Sequence, residues 1–363
     1  MKLKLVRLED VNFKILKNFS IDFRKDNKIL NLIVLAGVNG SGKTTLLDFI
    51  NYKFDNPYKI EGKIYFEYKG ELYFLQKDGY LYRTTKVSNS IGKFFAYLRG
   101  EIYLSKRDTL MKVLHYIKAK DDKSKDLKIS IIRHLKKLIF EDGLAPNDAY
   151  KKLDEYLKTV FKGMKSSISF SNIDKDENVY FKNMFGEKVK IEDLSTGEKE
   201  ILNKAFYFFI NDIKDSVILI DEPEISLHPS WQSYILKVYQ NLAKEFNNQV
   251  IIATHSPHII ASTPDESLFI LTKEDGKIVA KNFNSYGKDI NAVLLEVMGS
   301  EYLRDIDVEE QIKKVKNMIF ENKFNTREFE EEFRKLEKML ENDNIELSLI
   351  KLELQRRKNV KNN

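Results

Sequence analysis

The sequence predicts an α/β fold, centred on a mixed and parallel sheet, from three observations. An apolar run from Ile29 to Ala36 leads into Gly37-Val38-Asn39-Gly40-Ser41-Gly42-Lys43-Thr44-Thr45 and then into the helical pattern Leu46-Leu47-Asp48-Phe49-Ile50. From Leu194 onward strand and helix patterns alternate, which calls for parallel strands joined by helical crossovers. Two of those strands end on ionisable groups, Asp221-Glu222 in one case and His255 in the other.

Taken in order, residues 1–36 read as strands Lys4–Val11, Phe19–Phe23 and Ile29–Ala36. After the glycine-rich loop and its helix come Lys63–Tyr68, Glu71–Gln76 and Tyr80–Thr84, period-2 runs separated by Gly-containing turns. Those are the marks of a β-meander. A strand over Glu101–Leu104 follows. Residues 107–163 read as helices, because Ile129, Ile132, Leu135 and Ile139, then Leu153, Leu157 and Phe161, recur at helical spacing. Ala145-Pro146-Asn147 breaks the two patterns. Short strands Ser167–Phe170, Val179–Phe181 and Val189–Asp193 precede the alternating half. That half reads as helix Glu198–Asn211, strand Ser216–Glu222, helix Trp231–Phe246, strand Gln249–Thr254 and helix Pro257–Ser262. A hairpin of Leu268–Thr272 and Lys277–Asn282 closes it.

In the tail, Ile312, Val315 and Ile319 form one apolar stripe, and Phe329, Phe333, Leu336 and Leu340 form another. Asn325 with Glu328 resembles a capping box for the second helix, and a third helix starts near Asn344. The expected organisation is therefore 1–104 and 166–290 as two halves of one domain, 105–165 as a short basic helical insertion, and 291–363 as a helical tail.

Composition excludes several classes. Of 363 residues none is cysteine, so there is no disulfide framework and no Cys–Zn site; a reducing cytoplasm is the expected setting. No stretch approaches the length of uncharged apolar chain that crosses a bilayer, and Met1 to Arg7 alternates like a strand instead of a signal peptide. The net charge of +6 is mild, but residues 105–165 carry 16 Lys/Arg against 9 Asp/Glu. Such a segment can meet DNA, RNA or an acidic partner, or can be an ordinary solvated face.

The first motif is G-x-x-x-x-G-K-T between strand and helix, a phosphate-binding loop. Backbone N–H groups at Asn39, Gly40, Ser41 and Gly42 converge on an oxyanion in front of a positive helix end. Lys43 would reach the β- and γ-phosphates, Thr44 would ligate Mg²⁺, and Thr45 completes the cradle. The chain is thus expected to bind ATP with Mg²⁺. Ser195 and Gly197, in Leu194-Ser195-Thr196-Gly197-Glu198-Lys199, offer a second phosphate cradle at a helix start. Asp221 closes the apolar strand Val217–Ile220 and would hold Mg²⁺, while Glu222 would polarise the attacking water. Two carboxylates ending a buried strand are too costly for packing alone. His255 could donate a hydrogen bond to the γ-phosphate; His228 and His258 read as local hydrogen-bonding residues.

Together these motifs resemble the ABC-type ATPase heads of the SMC and RecF kind. LSTGEK resembles their signature, ILIDE their Walker B strand and ATHSP their switch-histidine loop. The string Asp221 to Gln232, DEPEISLHPSWQ, is similar to that of the OLD-like and Septu-type ATPases of bacterial phage defence. The Lys17-Asn18-Phe19 segment and the stretch Tyr286 to Asn291 fit that branch.

The resemblance implies an ABC-type P-loop ATPase head that dimerises head to tail, Ser195 and Gly197 of one subunit closing over ATP on the loop of the other. Homodimers or higher even oligomers follow. It also implies a separate effector nuclease of the HNH type, with a reverse transcriptase and its RNA or DNA as a further partner, and no membrane. Two other functions compete with this one: a DNA-repair ATPase that clamps DNA, and a nucleotide-switched scaffold with little turnover.

Two features depart from the pattern. Such heads carry a glutamine loop, yet the only Gln between the phosphate loop and the signature is Gln76, at a hairpin end; Ser105 to Asp108 sits where that loop is expected. About 150 residues separate Lys43 from Ser195, so arms of at most ~30 residues, about 45 Å of helix, replace long coiled coils. Asp305-Ile306-Asp307 has the Asp-x-Asp spacing of a metal-dependent TOPRIM nuclease. Gly299 to Arg304 before it is no buried strand, however, so no nuclease of its own is expected.

Overall fold

A computed structural model describes residues 3–55, 60–68, 70–76, 81–84, 114–118, 127–164, 168–183, 185–225, 227–284, 287–300, 304–340 and 344–361. The chain divides into two compact units, Met1–Val293 and Leu294–Asn363.

In the first unit the strands are β1 (Leu3–Phe13), β2 (Leu16–Asp22), β3 (Arg24–Lys25), β4 (Lys28–Ile29), β5 (Leu32–Ala36), β6 (Glu61–Tyr68), β7 (Glu71–Leu75) and β8 (Leu81–Thr84). There follow β9 (Leu114–Lys118), β10 (Ser169–Ile173), β11 (Val179–Lys182), β12 (Lys188–Lys190), β13 (Val217–Asp221), β14 (Gln249–Ala253), β15 (Leu268–Glu274) and β16 (Lys277–Asn282). The central sheet runs β16-β15-β5-β14-β13-β9. Its strands pair in parallel from β15 to β9, and β16 is added antiparallel. Every residue of β5, β13 and β14 is buried. A parallel sheet covered on both faces needs strands apolar on both sides, and LIVLA, VILID and QVIIA supply them.

A second sheet, β2-β1-β6-β7-β8, is antiparallel and contains the expected meander. Its register is set by facing aromatic pairs: Tyr65 lies opposite Phe74 at 5.3 Å between ring centroids, and Phe74 opposite Tyr82 at 4.8 Å. Ile64 and Phe66 point the other way, into the core. That core packs Leu3, Leu5 and Leu8 of β1 against Phe49 and Ile50 of the helix Lys43–Asp55 and against Leu219 and Ile251 of the parallel sheet.

One polar side chain ties the two sheets together. Gln249, fully buried at the start of β14, accepts from Leu5 N–H at 2.6 Å and donates to the carbonyls of Leu5 and Leu30, both at 2.9 Å. Three of its four hydrogen-bonding positions meet backbone groups that would otherwise be buried alone.

The 105–165 stretch differs from its expected all-helical form. It holds the helices Leu127–Lys136 and Pro146–Val160, but also strand β9, which pairs with β13 from Leu114–Val217 to Lys118–Asp221. A five-residue LHYIK run becomes a strand because the sheet edge beside β13 offers it a ladder, an influence that arrives from about 100 residues away. The strand expected at Glu101–Leu104 lies outside the described residues.

The second unit packs the helices Ile306–Phe320, Arg327–Met339 and Ile345–Lys361 around Ile312, Val315, Ile319, Phe329, Leu336 and Leu347. The cap of its second helix is Thr326, which accepts from Phe329 N–H at 3.2 Å; the expected Asn325–Glu328 box is displaced by one residue. Asp305 caps the first helix through Asp307 N–H at 2.9 Å, so the Asp-x-Asp spacing falls on a helix start.

Replacing Gln249 by Leu strands the amide and carbonyls that it joins. A destabilisation of about 3 kcal/mol follows, since each orphaned buried group costs about 1–3 kcal/mol. Urea denaturation of the variant measures it; a loss within error of zero would mean that the two sheets are not joined this way.

Candidate functional site

The site is built at the carboxyl ends of three adjacent parallel strands, the edge at which open α/β sheets bind ligands. Strand β5 runs into the glycine-rich loop. Gly37 has φ of 139°, and a Cβ there would stand 2.4 Å from the carbonyl oxygen of Leu271, so only glycine fits the exit of the strand. The loop turns tightly, with Ser41 N–H donating to the Val38 carbonyl at 3.2 Å, and delivers Lys43 to the start of the helix Lys43–Asp55.

Lys43 is buried, its Nζ donating to the carbonyls of Gly37 at 2.8 Å and Val38 at 3.1 Å and to Ser41 Oγ at 3.4 Å. Burial pushes its ammonium down to about 8, against the pull of the carboxylates of Glu222, Asp221 and Glu224. Thr44 Oγ1 donates to Asp221 Oδ1 at 3.0 Å, joining the loop to the end of β13 across 177 residues of chain. Burial raises the Asp221 carboxyl above its ordinary range, although the Thr44 hydrogen bond opposes it.

A hydroxyl and a carboxylate side by side are hard oxygen donors of the kind that suit Mg²⁺, which takes few protein ligands and completes its shell with phosphate oxygens and water. Among the described residues no cluster of three or more acidic or imidazole groups could hold a metal by itself. The Thr44 hydroxyl and Asp221 carboxylate fit Mg²⁺ as a donor set.

Glu222 leaves the strand with φ of 52° and donates its N–H to the Ala253 carbonyl at 2.8 Å, so the ends of β13 and β14 stay level. His255, just past β14, has its Nε2 3.9 Å from Glu222 Oε1. Burial, and then the charge of Lys43, hold the imidazole below its usual range, which keeps it neutral near pH 7. Lys43, Thr44, Asp221, Glu222 and His255 are thus gathered at one place. Asn39 and Gly40 are exposed on the loop, and Gly42 and Ser41 are buried in it.

Ser195 caps the helix Thr196–Ile210: its Oγ accepts from Glu198 N–H at 3.3 Å, and Glu198 Oε2 accepts from Ser195 N–H at 2.9 Å. Gly197 is set against an indole. A Cβ on it would lie 2.2 Å from Nε1 of Trp231, on the helix Pro229–Glu245. Trp231, which follows the Asp221-Glu222 turn in the chain, thus packs against the first turn of the helix that Ser195 caps.

Sequence reasoning missed the support beneath the phosphate loop. Asp48, on the helix behind it, accepts from Lys14 at 2.8 Å, Lys118 at 3.1 Å and Tyr116 at 3.1 Å. Burial alone would raise its carboxyl, but the Lys14 and Lys118 hydrogen bonds outweigh it and hold the group below the usual range. Lys118 pairs in register with Asp221. No motif marks Tyr116 or Lys118; alternation within Leu114–Lys118 was the available signal. The segment Ser105 to Asp108, expected to replace the glutamine loop, lies outside the described residues.

A phosphate loop, a carboxylate pair and a strand-end histidine on one parallel edge, with a capped serine–glycine helix elsewhere in the same unit, are the parts of a P-loop ATPase, a hydrolase of ATP. Residues 89–261 match the family model described as "AAA domain, putative AbiEii toxin, Type IV TA system". The chain is 24% identical to Septu protein PtuA of Bacillus thuringiensis over 373 residues, 90% of this chain and 92% of that protein. It is 28% identical to the Retron Vc95 probable ATPase of Vibrio cholerae serotype O1 biovar El Tor over 151 residues, 37% of this chain but only 29% of that one. An SMC head domain from Thermotoga maritima aligns with a TM-score of 0.48 at 16% identity, over 77% of this chain and 99% of that one.

Substituting Gly197 by Ala drives a methyl group into the Trp231 ring, an overpacking that costs about 1–3 kcal/mol. Trp231 is the chain's single tryptophan, so its emission spectrum reads the displacement directly. An unshifted spectrum would contradict the contact.

Proposed function

We propose that two copies of this chain close head to tail over two ATP molecules, and that this ATP-driven closure and its reversal by hydrolysis control a separate nuclease in an anti-phage defence complex. The convergence of Lys43, Thr44, Asp221, Glu222 and His255 at one strand edge supports the catalytic half. Kinship with PtuA over 90% of the chain supports the defence setting.

In this reading the loop N–H groups from Asn39 to Thr45 and the Lys43 ammonium bind the phosphates of ATP. Binding replaces the carbonyl partners of Lys43 by an anion, which restores the charge that burial disfavours. Thr44 Oγ1 and an Asp221 carboxylate oxygen hold Mg²⁺, which when bound neutralises charge on the β- and γ-phosphate oxygens. Glu222 accepts a hydrogen bond from the attacking water and orients it in line. His255, neutral, donates to a γ-phosphate oxygen and so distinguishes ATP from ADP. Ser195 and Gly197 approach from the partner copy, where the helix Thr196–Ile210 offers its positive end. Each ATP is then buried by two chains, and its differential contacts shift the population toward the closed pair.

A mixture of Lys43→Ala and Ser195→Arg copies tests the shared site. In a mixed dimer one site carries both lesions and the other carries neither, so equal mixing of inactive variants restores about a quarter of wild-type turnover. No recovery on mixing would end the two-chain site. Glu222→Gln, with ATP, should accumulate as a dimer by light scattering. If that variant also protects cells against phage as the wild type does, the chain is a nucleotide-switched scaffold. Turnover stimulated by DNA alone, falling steeply with salt, would point instead to a DNA clamp.

A further inference from the structure

We infer that Glu224 is a positioning residue for hydrolysis: it fixes the backbone of His255 from the same turn that carries Glu222. The inference rests on the reading of His255 as a γ-phosphate contact.

Glu224 belongs to a turn in which Ile225 N–H donates to the Glu222 carbonyl at 3.2 Å and Leu227 N–H to the Glu224 carbonyl at 2.9 Å. Its carboxylate reaches across to the loop after β14. Oε1 accepts from Thr254 Oγ1 at 2.8 Å and from His255 N–H at 2.6 Å. Oε2 is buried with no hydrogen-bond partner among the described residues. A buried acceptor without a partner is rare and costly.

The clamp continues past the histidine. Thr254 Oγ1 accepts from Ser256 N–H at 2.9 Å, and Ser256 Oγ donates to Gln232 Oε1 at 2.5 Å. Gln232 Nε2 in turn donates to the Leu227 carbonyl at 3.1 Å. The segment 254–256 is therefore held on one side by Glu224 and on the other by Gln232. Both belong to the stretch that begins at Asp221.

The consequence is geometric. Glu222 Oε1 and His255 Nε2 stand 3.9 Å apart on two different strand ends. Glu224 sets that separation, because it is two residues from one member of the pair and hydrogen-bonded to the backbone of the other. Removing it lets the histidine loop relax, and a misplaced group costs far more in the transition state than in binding.

The test measures kcat and KM for ATP in the full-length chain, for Glu224→Ala, Glu224→Gln, His255→Ala and the His255→Ala, Glu224→Ala double variant. Glu224→Ala should lower kcat by about tenfold with KM within about threefold. Glu224→Gln keeps the Oε1 acceptor and should retain most of kcat. In the His255→Ala background, Glu224→Ala should change kcat by less than about twofold, because effects that run through one group are not additive. An undiminished tenfold loss in that background, or a loss confined to KM, overturns the inference. An unchanged kcat in His255→Ala alone overturns the reading of His255 instead. If Glu224→Ala does not fold, Thr254→Val removes one of the two donors and is judged by the same non-additivity.

Discussion

The site depends on one constraint, the level parallel register of β5, β14 and β13. Ala253 lies opposite both Leu35 and Asp221, so β13 and β14 end at the same height and β5 one residue beyond them. From that edge the phosphate loop, the carboxylate pair and the histidine loop all emerge within hydrogen-bonding reach. A slip of one residue in any strand would turn its terminal side chain to the other face of the sheet. The Thr44–Asp221 bond ties the loop to the end of β13, and the Glu222–Ala253 bond ties the ends of β13 and β14 together.

Charge is managed around this edge by placing each buried group against others. Lys43 is held by carbonyls of its own loop while three carboxylates lie near it. Asp48 is the converse case, a carboxylate held below its usual range against burial by two lysines, one arriving from β1's end of the chain and the other from β9, with the Tyr116 hydroxyl as a third donor. Such pairs repay part of the desolvation cost only when geometry and hydrogen bonds are good, and they are. The exception is the second oxygen of Glu224, buried without a hydrogen-bond partner among the described residues, where the histidine loop must be held.

The two halves of the first unit are distant in sequence, joined by the β5 ladders and a shared apolar core, and tied further by a few polar contacts. Gln249 links β14 to Leu5 and Leu30, and Asp215 accepts from Leu3 N–H at 3.2 Å. These contacts bring the antiparallel sheet, which begins the chain, against the strand that carries the histidine loop. A polar side chain in this position specifies how the sheets meet, as an apolar one of similar size would not.

By itself the sequence determined the parts whose physics is local. The phosphate loop, the strands ending at Asp221 and before His255, the meander and the apolar stripes of the tail helices follow from glycine turns, apolar runs and periodicity, and those strands appear within a residue or two of their expected bounds. Tertiary structure decided what depends on distant partners. Leu114–Lys118 is a strand because β13 lies beside it, and Thr326 caps a helix in place of Asn325 because backbone geometry there selects one of two adjacent candidates. Asp48, Lys118 and Glu224 acquire their roles only when segments 30 to 70 residues apart in the chain come together, since a carboxylate's partners are set by the fold and not by its neighbours in the chain.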